Sequence, residues 1–204
     1  EALATLEALR AEGKIRALGV SNYGRQDLTE LLGAGRVESD QLCYSLLFRA
    51  VEHDVQQVCV DNDLSLLCYS PLCQGLLTGK FASADEVPEG RARTRLFSKD
   101  RPQSRHHEPG CEAELFAALA EVRQFCASLD RPMSEVALAW LLAQPGVASV
   151  IAGARNAEQA RANARAGDLE LPPAVVAQLS AATEVVKQKL GPNADMWQTE
   201  SRMR

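Results

Sequence analysis

The chain predicts an α/β fold, a parallel sheet with helices packed on it, and two observations carry that prediction. Short apolar runs of strand length alternate with longer segments whose apolar residues recur every three or four positions. Such alternation implies parallel strands joined by right-handed helical crossovers. The runs number four, at residues 15–20, 39–44, 65–70 and 147–152. From these residues alone the chain is a small open α/β unit, and its 204 residues suit one domain.

The elements follow in order. Residues 1–12 carry Leu3, Leu6 and Leu9 with alanines between them, an amphipathic helix, and Gly13 suits its C-cap. Because Glu1 opens directly into that pattern, with no targeting segment, the chain is expected to start inside an element of a longer protein. After the strand at 15–20, Ser21 and Asn22 suit an N-cap for a helix over 26–32, which Gly33 and Gly35 break. The strand at 39–44 contains Asp40 and Gln41, and a strand Gln is costly to bury unless paired, so Gln41 belongs at a solvent-facing edge unless something holds it. A helix is predicted over 52–62, with Val55, Val58 and Cys59 apolar.

Residues 65–70 form the third strand, which Pro71 ends because proline offers no backbone N–H to a ladder. Residues 81–110 bring Gly, Pro, Ser and five arginines, too long a stretch for a mere connector. They are either a mobile lid whose arginines meet phosphates or a solvated surface insertion, with His106 and His107 as exposed loop histidines. Helices follow over 111–129 and from a Ser134 cap through Trp140, a core residue, to the stop at Gln144-Pro145-Gly146. The strand at 147–152 leads to helices over 157–166 and 174–190, and a polar tail, 191–204, is expected to drape over the surface.

Composition narrows the function classes. With 46% hydrophobic residues the chain can bury a core. A formal charge of −5 with no basic patch argues against a nucleic-acid partner, and no apolar run approaches a membrane span. Cys43, Cys59, Cys68, Cys73, Cys111 and Cys126 show neither CxxC pairs nor disulfide-framework spacing, which fits buried or free thiols in a reducing cytoplasm. The three histidines lack ligand-like spacing to them, so no metal site is expected.

The focal stretch is Tyr69-Ser70-Pro71-Leu72-Cys73-Gln74-Gly75-Leu76-Leu77-Thr78-Gly79-Lys80. A strand ending in an aromatic, a hydroxyl and a glycine-bearing turn with a cation can hold a planar ring and a phosphate together; it is equally an ordinary strand-to-loop junction. This stretch resembles the seventh strand and following loop of the aldo-keto reductases. Gly13-Lys14-Ile15-Arg16-Ala17-Leu18-Gly19-Val20-Ser21-Asn22-Tyr23 resembles that family's fifth strand, and Val150-Ile151-Ala152-Gly153-Ala154-Arg155-Asn156-Ala157-Glu158-Gln159 its eighth strand and last helix start. Tyr44, Leu46 and Arg49 also match a Tyr-x-Leu-x-x-Arg pattern of one branch.

The resemblance implies more than the residues do alone. The fold becomes the C-terminal half of a (β/α)8 TIM barrel, from the family's fourth helix onward, in one partial domain spanning 1–204 with an insertion at about 81–110. The implied activity is NADP(H)-dependent reduction of aldehydes and ketones to alcohols; the alternative is a non-catalytic dinucleotide-binding or regulatory module. Ser21, Asn22 and Gln41 would bond the nicotinamide amide and Tyr69 would stack on its ring. Ser70, Pro71, Leu72, Gly75, Leu77 and Lys80 would surround the pyrophosphate, with Gly153 allowing close approach. Arg155 would pair with a 2′-phosphate, and Gln159 and Asn163 would face the adenine. The family's proton-donating Tyr and its Asp, Lys and His partners all lie before the segment matching Glu1, so no catalytic residue is assigned. A half barrel would also expose open strand edges at 15–20 and 147–152, inviting self-association.

Overall fold

The computed structural model describes residues 2–204. Four strands, β1 (Gly19–Ser21), β2 (Ser39–Cys43), β3 (Ser65–Tyr69) and β4 (Val147–Ile151), form one parallel sheet in the order β1-β2-β3-β4. The helices are α1 (Ala2–Ala11), α2 (Arg25–Ala34), α3 (Val55–Asp61), α4 (Glu112–Ser128), α5 (Met133–Leu142), α6 (Ala157–Arg165), α7 (Pro173–Ala182) and α8 (Glu184–Leu190). Because neighbouring strands are parallel, their C-terminal ends share one edge of the sheet, and register aligns Ser21 with Gln41, Cys43 with Tyr69 and Tyr69 with Ile151.

The two faces of the sheet differ. Asp40, Leu42, Leu66 and Cys68 are buried on one, under the helices, whereas Gln41, Leu67 and Tyr69 alternate with them on a half-covered face. The core centres on α5, which is apolar nearly all round and buried from Val136 to Leu141, with Trp140, Tyr44, Phe48 and Phe97 among its largest fully buried side chains. Helix α4 buries one stripe, Leu115, Ala118, Leu119, Val122 and Cys126. All six cysteines are buried and unpaired.

Several expectations change against the structure. The first strand covers only 19–21; just before it the Leu18 carbonyl still accepts from the Glu38 N–H at 2.8 Å, but the Leu18 N–H donates to the Glu38 carboxylate at 2.6 Å, and Arg10 pairs with the same group. Ser21 and Asn22 do not cap α2, whose N-cap is Gly24. Pro132, not Ser134, stands at the N-cap of α5. The last predicted helix is two, broken at Thr183, because Arg49 donates to the Ser180 carbonyl at 2.6 Å, the acceptor a continuous helix would offer residue 184.

Residues 81–110 are partly packed into the core rather than wholly solvated. Val87, Ala92, Leu96, Phe97 and Arg95 are buried, and Arg95 donates to the carbonyls of Leu190, Asn193 and Asp195. His106 is buried as well, its Nε2 3.0 Å from the Thr94 carbonyl oxygen, so only His107 is the exposed loop histidine expected. The tail is likewise partly interior: Asp195 and Met196 are buried, and the chain ends against α2, where the Arg204 backbone lies so close to Gly24 that a Cβ there would clash.

Candidate functional site

At the C-terminal edge of the sheet β3 runs directly into a tight loop. Ser70, Cys73, Gln74 and Gly75 take positive φ values of 54°, 47°, 57° and 91°. Three of these are not glycine, and left-handed backbone at such residues is held only when its surroundings over-determine it. The Cys73 and Gly75 N–H groups bond the carbonyls of Ser70 and Leu72, and the loop closes at Gly79, also left-handed. A Cβ added at Gly75 would stand 3.0 Å from Lys80 Nζ and 3.4 Å from an Arg91 guanidinium nitrogen, so both cations converge over that bare backbone.

One strand away, β4 leads into α6. Asn156 caps the helix, accepting from the Gln159 N–H at 2.9 Å, while the Gln159 side chain reaches back to the Arg155 N–H at 2.9 Å. Asn163 donates to the Gly153 carbonyl at 3.2 Å. The two side chains thus hold the 153–155 turn at the positive end of the α6 dipole.

Between these two loops lies a cavity of about 610 Å³, lined by Ser70, Pro71, Leu72, Gln74, Gly75, Lys80 and Arg91 on one side and Gly153, Arg155, Gln159 and Asn163 on the other. That volume falls within the usual range for small-molecule sites. Lys80, Arg91 and Arg155 have no carboxylate partner among the described residues. Burial, then Arg91 and Arg155, lower the Lys80 pKa from its ordinary value, a sign of like charges pressed together. Three cations, a helix N-terminus and a loop of turned-in backbone can take up a polyanion.

The sequence-derived set divides here. Nine of the residues expected at a ligand line this cavity, Arg91 of the arginine-bearing segment joins them, and Cys73, Gln74, Thr78, Ser134, Ile151, Ala152 and Ala162 also line it. Arg91 belonged to the basic run already noted, but nothing local singled it out from its neighbours. Leu77 does not line the cavity; its side chain is fully buried in the core. Gly153 leaves open space, with no atom within 4 Å of a Cβ placed on it.

Tyr69 and Asn22 meet in a separate cleft of about 150 Å³, completed by Asp195, Arg202 and Met203 of the tail. The Tyr69 hydroxyl donates to Asn22 Oδ1 at 2.8 Å. Ser21 Oγ and the Asn22 N–H both donate to the Gln41 carbonyl at 3.0 Å, and the half-buried Gln41 side chain lines neither space. The tail's part was not legible, since a polar 14-residue segment gives no sign of where it docks.

Comparison with known proteins places this geometry. A family model described as "Aldo/keto reductase family" matches residues 1–184. The chain is 35% identical over 172 residues to an Escherichia coli (strain K12) protein named NADH-specific methylglyoxal reductase, covering 84% of this chain and 49% of that one. It is 27% identical over 188 residues to "Aldo-keto reductase yakc [NADP(+)]" of Schizosaccharomyces pombe, covering 89% and 53%. The chain spans about half the length of the curated relatives it matches. Among solved structures, a glycerol dehydrogenase from Gluconobacter oxydans superposes with a TM-score of 0.71 at 24% identity, over 92% of this chain and 54% of that one. A thermostable aldo-keto reductase in complex with epalrestat gives 0.63 at 22%, over 88% and 53%. At these identities the likeness is one of fold: a parallel α/β unit matching about half of a (β/α)8 barrel.

Proposed function

The chain belongs to the aldo/keto reductase family, and on that premise we propose that it holds NADP(H) in the cavity between the 70–80 and 151–163 segments, as part of an oxidoreductase that reduces aldehydes or ketones to alcohols. When bound, the dinucleotide supplies the hydride. Lys80 and Arg91 would take the pyrophosphate over the bare backbone of Gly75, Arg155 the 2′-phosphate, and Gln159 and Asn163 the adenine end. Tyr69, steadied by its bond to Asn22, would present its ring to the nicotinamide. The observation that carries this reading is the convergence of three carboxylate-free cations on one cavity beside the N-terminus of α6. Relatives named for NADH and for NADP(+) both occur, so the phosphate preference rests on Arg155.

The same reading makes these 204 residues a cofactor-holding unit without proton-transfer machinery. A tyrosine that gives up a proton near neutral pH needs a cation beside it. Burial and then the Glu52 carboxylate push the Tyr44 phenol up instead, and burial does the same to Tyr69. Titrating the chain with NADPH, following its emission alongside light scattering, is expected to give saturable binding to a soluble species. Adding an aldehyde is expected to give no NADPH oxidation above a heat-treated control. Absence of saturable binding overturns the cofactor reading; carbonyl-dependent oxidation overturns the inactive one.

A further inference from the structure

Residues 93–105 and 197–202 enclose a second cavity, of about 260 Å³, that shares no residue with the first. Its lining is Arg93, Gln103, Arg105, Trp197, Gln198 and Arg202, three cations and two amides with no carboxylate among them. The acidic groups nearby are already engaged: Asp195 pairs with Arg202 at 2.7 Å and Glu108 with Arg95 at 2.8 Å. Arg93 and Arg105 have no carboxylate partner among the described residues. The Arg93 guanidinium lies over the Trp197 ring, 5.0 Å from its centroid, which fixes the plane of the fork. Its Nε is buried without a hydrogen-bond partner. An unmet buried donor on a charged group costs about 1–3 kcal/mol or more.

We infer that this cavity binds a small oxyanion, the carboxylate or phosphate group of a small molecule. A planar guanidinium fork held against an indole, with a second arginine and two amides around it, suits bidentate capture of such a group. Arg202 also lines the adjoining cleft of Tyr69 and Asn22, so a ligand anchored here by its charged end has its other end beside Tyr69. The site stands on its own lining and does not depend on the dinucleotide reading.

The test uses the full chain without dinucleotide. In nitrogen–proton correlation spectra, the Trp197 indole and Arg93 Nε–H signals are followed while inorganic phosphate, propionate or pyruvate is added, with potassium chloride at matched ionic strength as reference. Trp140, whose indole is bonded to Ser180 in the core, serves as the internal standard. Saturable shifts of Trp197 and Arg93 with an oxyanion but not with chloride are expected. Arg93→Gln is expected to weaken binding roughly tenfold. Arg105→Gln, at an exposed position, keeps the test available if the first variant does not fold. Tighter binding of pyruvate than of propionate supports the site and assigns it to a carbonyl ligand's charged end; equal affinity supports it and assigns it to free anions. No saturable shift, or one that chloride reproduces, overturns the inference, whatever NADPH does in the first cavity.

Discussion

Arg155 holds its place through its backbone, whose N–H donates to Gln159, while its exposed guanidinium has no acidic partner among the described residues. If it takes the 2′-phosphate, Arg155→Ala should weaken NADPH binding by roughly tenfold or more and NADH binding by less than about twofold. Equal weakening in parallel titrations would assign it to the pyrophosphate instead. Asp40 is a residue-scale problem of another kind. It is fully buried on the helix-covered face of the sheet; the backbone N–H groups of Tyr23, Gln41 and Asn22 lie near its carboxylate without making well-formed hydrogen bonds to it, and burial outweighs them, pushing its pKa up to about 7. A carboxyl whose folded pKa is raised stabilises the fold below its unfolded value near 4, and that stability is lost as pH rises through about 7. Asp40→Asn cannot ionise. Unfolding free energies from urea titrations should therefore fall more steeply between pH 4 and 8 for the parent than for the variant, by on the order of 4 kcal/mol across the range. Parallel profiles would mean that Asp40 ionises in the folded chain as readily as in the unfolded one.

Elements were legible in the sequence where one local pattern decides them. The stripe of α4 and the Pro-terminated β3 each depend on residues within a few positions of one another. The break between α7 and α8 was not, because its cause is Arg49, far away in sequence. That arginine ties the segment after β2 to the last two helices: it donates to Ser180 and Thr183, forks onto Glu52, and lies over Trp140. Burial pushes the Glu52 carboxyl up, but Arg49, Tyr44 and Lys187 outweigh it and hold the group below its ordinary value. Removing Arg49 leaves that carboxylate short of its main partner and the Ser180 carbonyl with only the long 3.4 Å bond from the Thr183 hydroxyl. Arg49→Met is expected to destabilise the fold by about 3 kcal/mol, read as a lowered denaturant midpoint with unchanged slope. Because Glu52 has a depressed folded pKa, its stabilisation is present above the ordinary carboxylate range and lost as pH falls below it, so the gap between parent and variant should narrow in acid. A gap that stays constant would make packing on Trp140, not charge, the source of the loss.

At the scale of the whole molecule, the strand count and the parallel arrangement could be read from alternation alone, and the family motifs added the barrel. The paths of residues 81–110 and 191–204 could not, since what anchors them is long-range: Arg95 to the carbonyls of 190–195, Cys43 Sγ against Met196 Sδ at 3.7 Å, and Arg204 to Asp27 across 177 positions. The 191–204 tail completes the cleft beside Tyr69, so the half of the site nearest the proposed chemistry was the half hidden from pattern reading. The sheet itself ends in two edges, β1 and β4, each with a single strand neighbour. On β4, Ala148 and Ser149 are exposed and Ile151 is 45% exposed. A strand edge offers unpaired backbone groups to any second strand, and apolar exposure beside it adds a driving force. The chain on its own should therefore self-associate as its concentration rises, with sedimentation equilibrium giving a mass above the 22.1 kDa of one copy. Ala148→Lys places a charge on that edge without touching the core or the lining of either cavity, and it should return the mass toward a single copy. A parent chain that stays at 22.1 kDa at all concentrations would show that the edges do not pair. Association that Ala148→Lys leaves unchanged would instead move the contact to β1 or to the exposed apolar side chains of the helices, Leu6, Leu142 and Val185.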